Sequence, residues 1–470
     1  MLAEIKGLNE ECGVFGIWGH SEAAQIAYYG LHSLQHRGQE GAGITVTDRR
    51  DIYLKKGTGL VTEIFSKEDI DRLEGTGAIG HVRYSTKDDN HYANVQPLLF
   101  KSQKGSLALC HNGAIINATE LRLMLENEGS IFQTTSDTEV LAHLIKRNKQ
   151  NDFLGQVKAS LNKLKGAYAF LIMTEDCLIG ALDPYGFRPL SLGKLGDSYV
   201  LASETCAFDI IGAKFIRDIS PGEIVVINDD GVHSEMLTNE TKMSICLMEY
   251  IYFSRPDSNL RGINVHTARK NLGKQLAIEA PIEADVVTGV PDSSISAAIG
   301  YAEKSGIPYE MGLIKNRYIG RTFIKPTQQQ REQGVKMKLS PVRGVVEGKR
   351  VVMVDDSIVR GTTSKRIVKM LKEAGAKEVH VAISSPPIRF PCAYGFDSSS
   401  ADELIAHGRT VDEIREIIGA DSLTFLSVEG MLKALGREES GGINGSCLAC
   451  FTGQYPTEFY PVKTSVKEKV

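Results

Sequence analysis

The sequence predicts a two-domain α/β protein: a layered, largely antiparallel α/β sandwich followed by a parallel, doubly wound α/β domain. Three observations predict it. In the first half, short apolar strands (Gly166 to Thr174, Cys177 to Leu182, Glu223 to Ile227) alternate with helical periodicity at Ala118 to Glu128 and Thr138 to Arg147. In the second half, the runs Asp285 to Gly289 and Val351 to Val354 read as buried parallel strands, and helices alternate with them. Between the halves, the polar stretch from Asn228 through Glu235 to Lys242 interrupts two apolar runs, so the domains are expected at 12–240 and 241–470.

At the N-terminus, residues 1–11 read as a removable leader, too short and too acidic for a secretory signal. Cutting the Glu11–Cys12 bond would give Cys12 a free α-amino group, a general base for its own thiol. Standing alone, Cys12 would read first as a small buried hydrophobe. Polar motifs follow it, each expected in a turn beside an apolar run: Gln35-His36-Arg37-Gly38-Gln39, His81-Val82-Arg83-Tyr84-Ser85-Thr86, His111-Asn112-Gly113 and Thr134-Thr135-Ser136-Asp137-Thr138-Glu139. Amide hydrolysis uses these residue types. Asn112 and the Gly113 N–H can donate to a tetrahedral oxyanion, while Arg83 and Asp137 suit the carboxylate and ammonium of an amino acid. Plain structural roles fit too: Asn112-Gly113 makes a good turn, and Ser136-x-x-Glu139 is a capping box.

In the second half, the strand at Val351 runs into Asp355, Asp356, Ser357, Arg360, Gly361, Thr362, Thr363 and Ser364, and a helix follows to Gly375. This strand, loop and helix read as a site for a sugar phosphate. The helix start offers N–H groups to an anion, the hydroxyls assist, and the carboxylates can hold ribose hydroxyls or hydrated Mg²⁺. Of the eight cysteines, Cys447 and Cys450 form a C-x-x-C pair, with Cys246 and Cys392 upstream in the same half. By spacing these four suit Cys₄ zinc, a redox dithiol or a [4Fe–4S] cluster alike. Cys110, Cys177 and Cys206 read as ordinary buried thiols. The cation-rich span from Lys315 to Ser340 is expected to be a lid over a polyanionic ligand.

The strand-to-Ser364 segment resembles the phosphoribosylpyrophosphate (PRPP) loop of the type I phosphoribosyltransferases. The Cys12, Arg83, Asn112-Gly113 and Asp137 motifs resemble the glutaminase domain of the N-terminal-nucleophile amidotransferases. Both on one chain resemble the family of glutamine PRPP amidotransferases over essentially all 470 residues, in its propeptide and iron–sulfur form. The resemblance implies glutamine and PRPP as substrates, Cys12 as nucleophile, and phosphoribosylamine for purine synthesis as product. It also implies Ser293, in Gly289-Val290-Pro291-Asp292-Ser293, as a Mg²⁺ contact beside Asp355 and Asp356. Cys246, Cys392, Cys447 and Cys450 become the [4Fe–4S] ligands. A homotetramer inhibited by purine nucleotides is expected. The rivals are a PRPP-sensing regulator and another amidotransferase, such as glucosamine phosphate synthase, which lacks the PRPP loop.

Composition bears on these rivals. With 54 Lys plus Arg against 58 Asp plus Glu, the net charge of −4 is a poor footprint for nucleic acid. No apolar run reaches the ~20 residues of a membrane helix. Without a secretory signal, a reducing cytoplasm is the expected compartment.

Overall fold

A computed structural model of the chain describes residues 12–84, 92–103, 105–316, 339–395, 401–437 and 445–457. The chain forms two compact units that part between Ile245 and Cys246; residues 392–395 and 454–457 are grouped with the first unit.

The first unit is built on thirteen antiparallel strands in two sheets. One holds β1 (Gly13–Trp18), β2 (Gly41–Thr47), β3 (Ile52–Thr58), β4 (Gly77–Arg83), β9 (Ser191–Leu195), β10 (Ser198–Ala202) and β11 (Lys214–Asp218), in the order β11-β9-β10-β1-β4-β2-β3. The other holds β5 (Leu98–Ser102), β6 (Gly105–Ile115), β7 (Gly166–Met173), β8 (Leu178–Leu182), β12 (Glu223–Asn228) and β13 (Gly231–Met236), in the order β13-β12-β8-β7-β6-β5. Strand alternation divides the apolar side chains between layers. Val14, Ile79, Cys110, Ala169 and Leu171 form the core between the sheets. Phe15 and Ile17 instead pack under the Ala23–Ser33 helix, while Leu109, Phe170 and Ile172 pack under helices Ala118–Asn127 and Thr138–Arg147. The result is helix, sheet, sheet, helix.

The expected boundary stretch has a different role. Asn228 to Gly231 turns a hairpin, and β13 pairs with β12 from Gly231↔Asn228 to Met236↔Glu223. An exposed edge strand reads as polar as a linker, and the units part five residues beyond the expected boundary at 240, between Ile245 and Cys246.

The second unit carries four parallel strands in the order Val286–Gly289, Arg350–Asp355, Glu378–Ile383, Ser422–Phe425. Val351 and Met353 join the core that holds Ile367 and Leu371 of helix Thr362–Glu373. Val352 and Val354 on the opposite face are buried as well, so the run is apolar throughout. Helices Val265–Glu279 and Ile295–Ser305 pack backbone to backbone. A Cβ at Gly273 would stand 1.8 Å from Ala297 O, and one at Gly300 would stand 1.9 Å from Lys270 O. Both sheet strands that border the expected phosphate site end at the same edge, Gly289 beside Val354 and then Asp355.

Candidate active sites

Cys12 stands directly before β1, half-buried, with its Sγ 3.7 Å from Tyr84 O. Gly13 pairs with Val82, which sets Cys12 beside Arg83 at the end of β4. Two side chains that the sequence reading left without a role fix this corner. Buried Arg37 donates from Nε to Cys12 O at 3.1 Å and from Nη1 to Glu204 Oε1 at 2.6 Å. His36 Nε2 meets the same Glu204 oxygen at 2.7 Å. Val14 N donates to Ser203 Oγ at 3.0 Å. Gly38 of this motif is obligatory for space, since a Cβ there would stand 2.4 Å from the Arg83 carbonyl carbon. The only sequence signal was a cluster of polar residues in an apolar setting.

Asn112 and Gly113 are not in a turn. They lie inside β6, paired with Ala169 and Tyr168 of β7. Polar residues in the middle of a strand look like a turn when their polarity serves a site. Asn112 is 1% exposed, yet its Nδ2 and Oδ1 have no hydrogen-bond partner among the described residues. A buried amide left bare costs about 1–3 kcal/mol, so a ligand atom is the natural partner. Gly113 has φ +138, and a Cβ would stand 2.1 Å from Ala167 O.

Asp137 precedes helix Thr138–Arg147 and accepts from Ile115 N at 2.9 Å, which ties it to β6 beside Gly113. Its side chain keeps 29% exposure, enough to meet an ammonium. The capping box is not formed: Glu139 instead accepts from Gln133 N at 2.9 Å and Thr134 N at 2.7 Å, tying down the preceding loop. His81 Nε2 donates to His111 O at 3.2 Å and so links the two sheets. Burial, then Arg83, pulls the His81 pKa down to about 3, so the ring is neutral. Burial also lowers that of His111.

In the second unit, Asp355 and Asp356 end the Arg350–Asp355 strand, buried and wrapped in hydroxyls. Ser294 Oγ donates to Asp355 Oδ1 at 2.8 Å, Ser357 Oγ to Asp356 Oδ1 at 2.6 Å, and Ser293 Oγ to Asp356 Oδ2. The structure thus brings Ser293 to the acids and adds Ser294, which the sequence did not single out. Burial, with Asp356 next, pushes the Asp355 carboxyl well above the usual range; burial raises Asp356 too, against hydroxyl bonds and Arg269. Such a pair would welcome a cation. Gly361, at φ +73, precedes helix Thr362–Glu373, whose start has no side-chain cap. There Thr363 Oγ1 is buried without a partner among the described residues, and Ser364 is buried. Arg360 is ion-paired with Glu403. A cavity of about 540 Å³ adjoins this edge, lined by Gly289, Pro291, Asp292, Tyr309 and Lys315 among others. The expected lid lies outside the described residues from 317 to 338, as do Ser85, Thr86 and the leader.

Cys246, Cys447 and Cys450 are buried and Cys392 is half-buried. Cys246 and Cys447 end short strands that pair with each other. Cys450 O accepts from Arg389 N at 2.9 Å and Phe390 N at 3.0 Å, just ahead of Cys392 in the chain. Among the described residues, no group of three or more His, Cys, Asp or Glu is arranged to hold a metal ion. Cys110 and Cys206 are buried thiols, Cys177 half-buried. No helix among the described residues is long and apolar enough to cross a membrane.

Comparison with known proteins finds matches in both units. The Glutamine amidotransferase domain family matches residues 81–209, and the Phosphoribosyl transferase domain family matches residues 264–395. An amidophosphoribosyltransferase of Bacillus subtilis is 68% identical over 100% of this chain and 99% of its own. One from Staphylococcus aureus is 54% identical over 99% of this chain and 95% of its own. A solved structure of glutamine PRPP amidotransferase from B. subtilis, complexed with ADP and GMP, superposes with a TM-score of 0.92 at 68% identity, covering 96% of this chain and 98% of that one. Another, described as the allosteric regulatory enzyme of purine biosynthesis, gives 0.93 at 68% identity, covering 96% of this chain and 97% of that one. The chain belongs to the amidophosphoribosyltransferase family, the glutamine-dependent enzymes of the first step of purine biosynthesis.

Proposed function

We propose that the first unit hydrolyses glutamine at Cys12 and that the ammonia released replaces pyrophosphate at C1 of PRPP, giving 5-phosphoribosylamine. The single observation that carries this reading is the buried amide of Asn112, without a hydrogen-bond partner among the described residues, next to Gly113 in the strand that faces the nucleophile's sheet. The Cys12 sulfur attacks the glutamine carboxamide carbon. Asn112 Nδ2 and the Gly113 N–H receive the oxyanion, which collapses to a thioester as ammonia leaves, and water then frees glutamate. Arg83 holds the substrate carboxylate and Asp137 its ammonium. The α-amino group of Cys12, exposed by removal of residues 1–11, takes and returns the proton. Arg37 keeps the Cys12 carbonyl in place through this cycle.

In the second unit, Asp355, Asp356 and Ser293 would hold Mg²⁺, which when bound screens the charge gathering on pyrophosphate as it departs. Ser357, Arg360, Gly361, Thr362, Thr363 and Ser364 take the ribose phosphate at the open helix start. Cys246, Cys392, Cys447 and Cys450 would ligate one [4Fe–4S] cluster; the pairing of the short strands that end in Cys246 and Cys447 supports this reading. The ADP and GMP in the B. subtilis complex support purine nucleotide feedback on this chain, which the same reading takes to be a cytoplasmic homotetramer. Glutamate release measured with and without PRPP and Mg²⁺ tests the reading, together with Cys12→Ser. The substitution should abolish glutamine-dependent synthesis and leave ammonia-dependent synthesis. Equal loss of both would overturn the division of labour.

A further inference from the structure

An oxyanion donor built on glycine has a difficulty, because glycine alone does not hold its peptide planes still. Preorganised donors stabilise a transition state only when they need no reorganisation. Gly113 is held on one side by β7, where Tyr168 is its register partner. Its other neighbour comes from far along the chain. A Cβ on Gly395 would stand 3.3 Å from Gly113 C, 3.4 Å from Gly113 O and 3.2 Å from Arg188 Nη2. Gly395 itself has φ +110, so it lies against Gly113 in a backbone shape that other residues rarely take. The preceding residue is anchored three ways. Fully buried Arg188 donates from Nη2 to Tyr394 O. The Tyr394 ring stacks on Phe187 at 4.2 Å. Its hydroxyl pairs with Thr457 Oγ1 at 2.8 Å. Asp183 closes the circuit, accepting from Tyr168 N at 3.0 Å and from Tyr185 N at 2.9 Å, so the turn that presents Phe187 and Arg188 is pinned to the strand residue opposite Gly113.

We propose that Tyr394 and Gly395, fastened by Arg188, act as a strap of positioning residues that packs against the Gly113 carbonyl and so limits the rotation at Gly113 that would turn its N–H away from the oxyanion. The strap touches neither substrate nor nucleophile. It rests on the reading of Gly113 and Asn112 as the oxyanion donors, and its test separates the two.

Gly395→Ala adds a methyl group at a strained φ and wedges it against Gly113, and Arg188→Lys replaces the guanidinium with a single ammonium. Each should lower kcat for glutamine hydrolysis by about tenfold while KM stays within about twofold. Ammonia-dependent synthesis serves as the control for overall integrity and should persist. The distinguishing readout is affinity for the aldehyde analogue of glutamine, whose thiohemiacetal with Cys12 places an oxygen where the oxyanion forms. Its affinity should fall in step with kcat, with product glutamate affinity unchanged. Unchanged kcat and aldehyde affinity in both variants, a rise in KM alone, or parallel loss of ammonia-dependent synthesis would each overturn the strap. Asn112→Ala runs alongside: if it leaves kcat and aldehyde affinity intact, the oxyanion reading fails; if it alone loses both, only the strap fails.

Discussion

Replacing Asn112 with leucine should make the protein more stable and inactive at once. The side chain is 1% exposed and both amide polar atoms lack partners among the described residues. In the free enzyme it therefore carries a desolvation cost of about 1–3 kcal/mol that no hydrogen bond offsets. Leucine branches at the same atom, so Asn112→Leu removes that cost without opening a cavity, and its greater bulk offsets part of the gain. At roughly 2–4 °C per kcal/mol for a unit of this size, the thermal midpoint should rise by roughly 2–12 °C. The molecule has two units, so a whole-chain transition would blur the effect. Trp18 solves this: it is the sole tryptophan and lies in β1, so its fluorescence follows the first unit alone. Glutaminase turnover should fall by about 10²–10³ or more, the usual cost of losing an oxyanion donor. A midpoint that drops by several degrees would mean that Asn112 is a satisfied structural residue, and the reasoning from its bare amide would fail.

Three further outcomes are expected. Burial pushes the Asp183 carboxyl up to about 7 from 3.8, against its backbone hydrogen bonds, so the folded chain keeps a proton that the unfolded chain has lost. That contribution is complete below about pH 4 and gone above about pH 7, on the order of 4 kcal/mol in all, and Asp183→Asn should flatten the slope; denaturation profiles of equal slope would contradict it. Gly273→Ala should destabilise the second unit by about 1–3 kcal/mol or more in urea, because its Cβ would stand 1.8 Å from backbone at Ala297 O. Gly430→Ala, equally close at 1.8 Å, meets side-chain atoms instead, the flexible end of Glu279 and Ser427 Oγ at 3.0 Å, and should cost far less; similar losses would show that contact type is irrelevant. Purified protein should contain iron with a cluster absorption band, lost in Cys447→Ser; a colourless protein with one zinc would exclude iron ligation.

Most of the fold was legible because periodicity reports burial. The helix at Thr138–Arg147 and the strand at Gly166–Met173 fall where their apolar spacing puts them. The edge strand β13 was not legible, since four of its six residues are exposed and it carries no apolar pattern. Function was legible where chemistry is local in sequence, as in Asp355-Asp356-Ser357, whose acids and hydroxyl do meet. It was obscure where contacts are distant. Ser294 reaches Asp355 across 61 positions, and Arg37 meets Glu204 across 167. Nothing in either neighbourhood names the other.

The grouping of residues 392–395 and 454–457 with the first unit bears on how the chain matures on the ribosome. Synthesis runs from the N-terminus, and early domains begin folding before later ones are made. The first unit has its thirteen strands by Met236, but Tyr394 reaches Phe187 only after another stretch as long as a whole domain has emerged. A polypeptide cut at residue 245 would hold every strand of the sandwich and still lack part of that unit. Completion of that unit then waits on synthesis of residues 392–395 and 454–457, so the last steps of its folding follow synthesis of the chain between them.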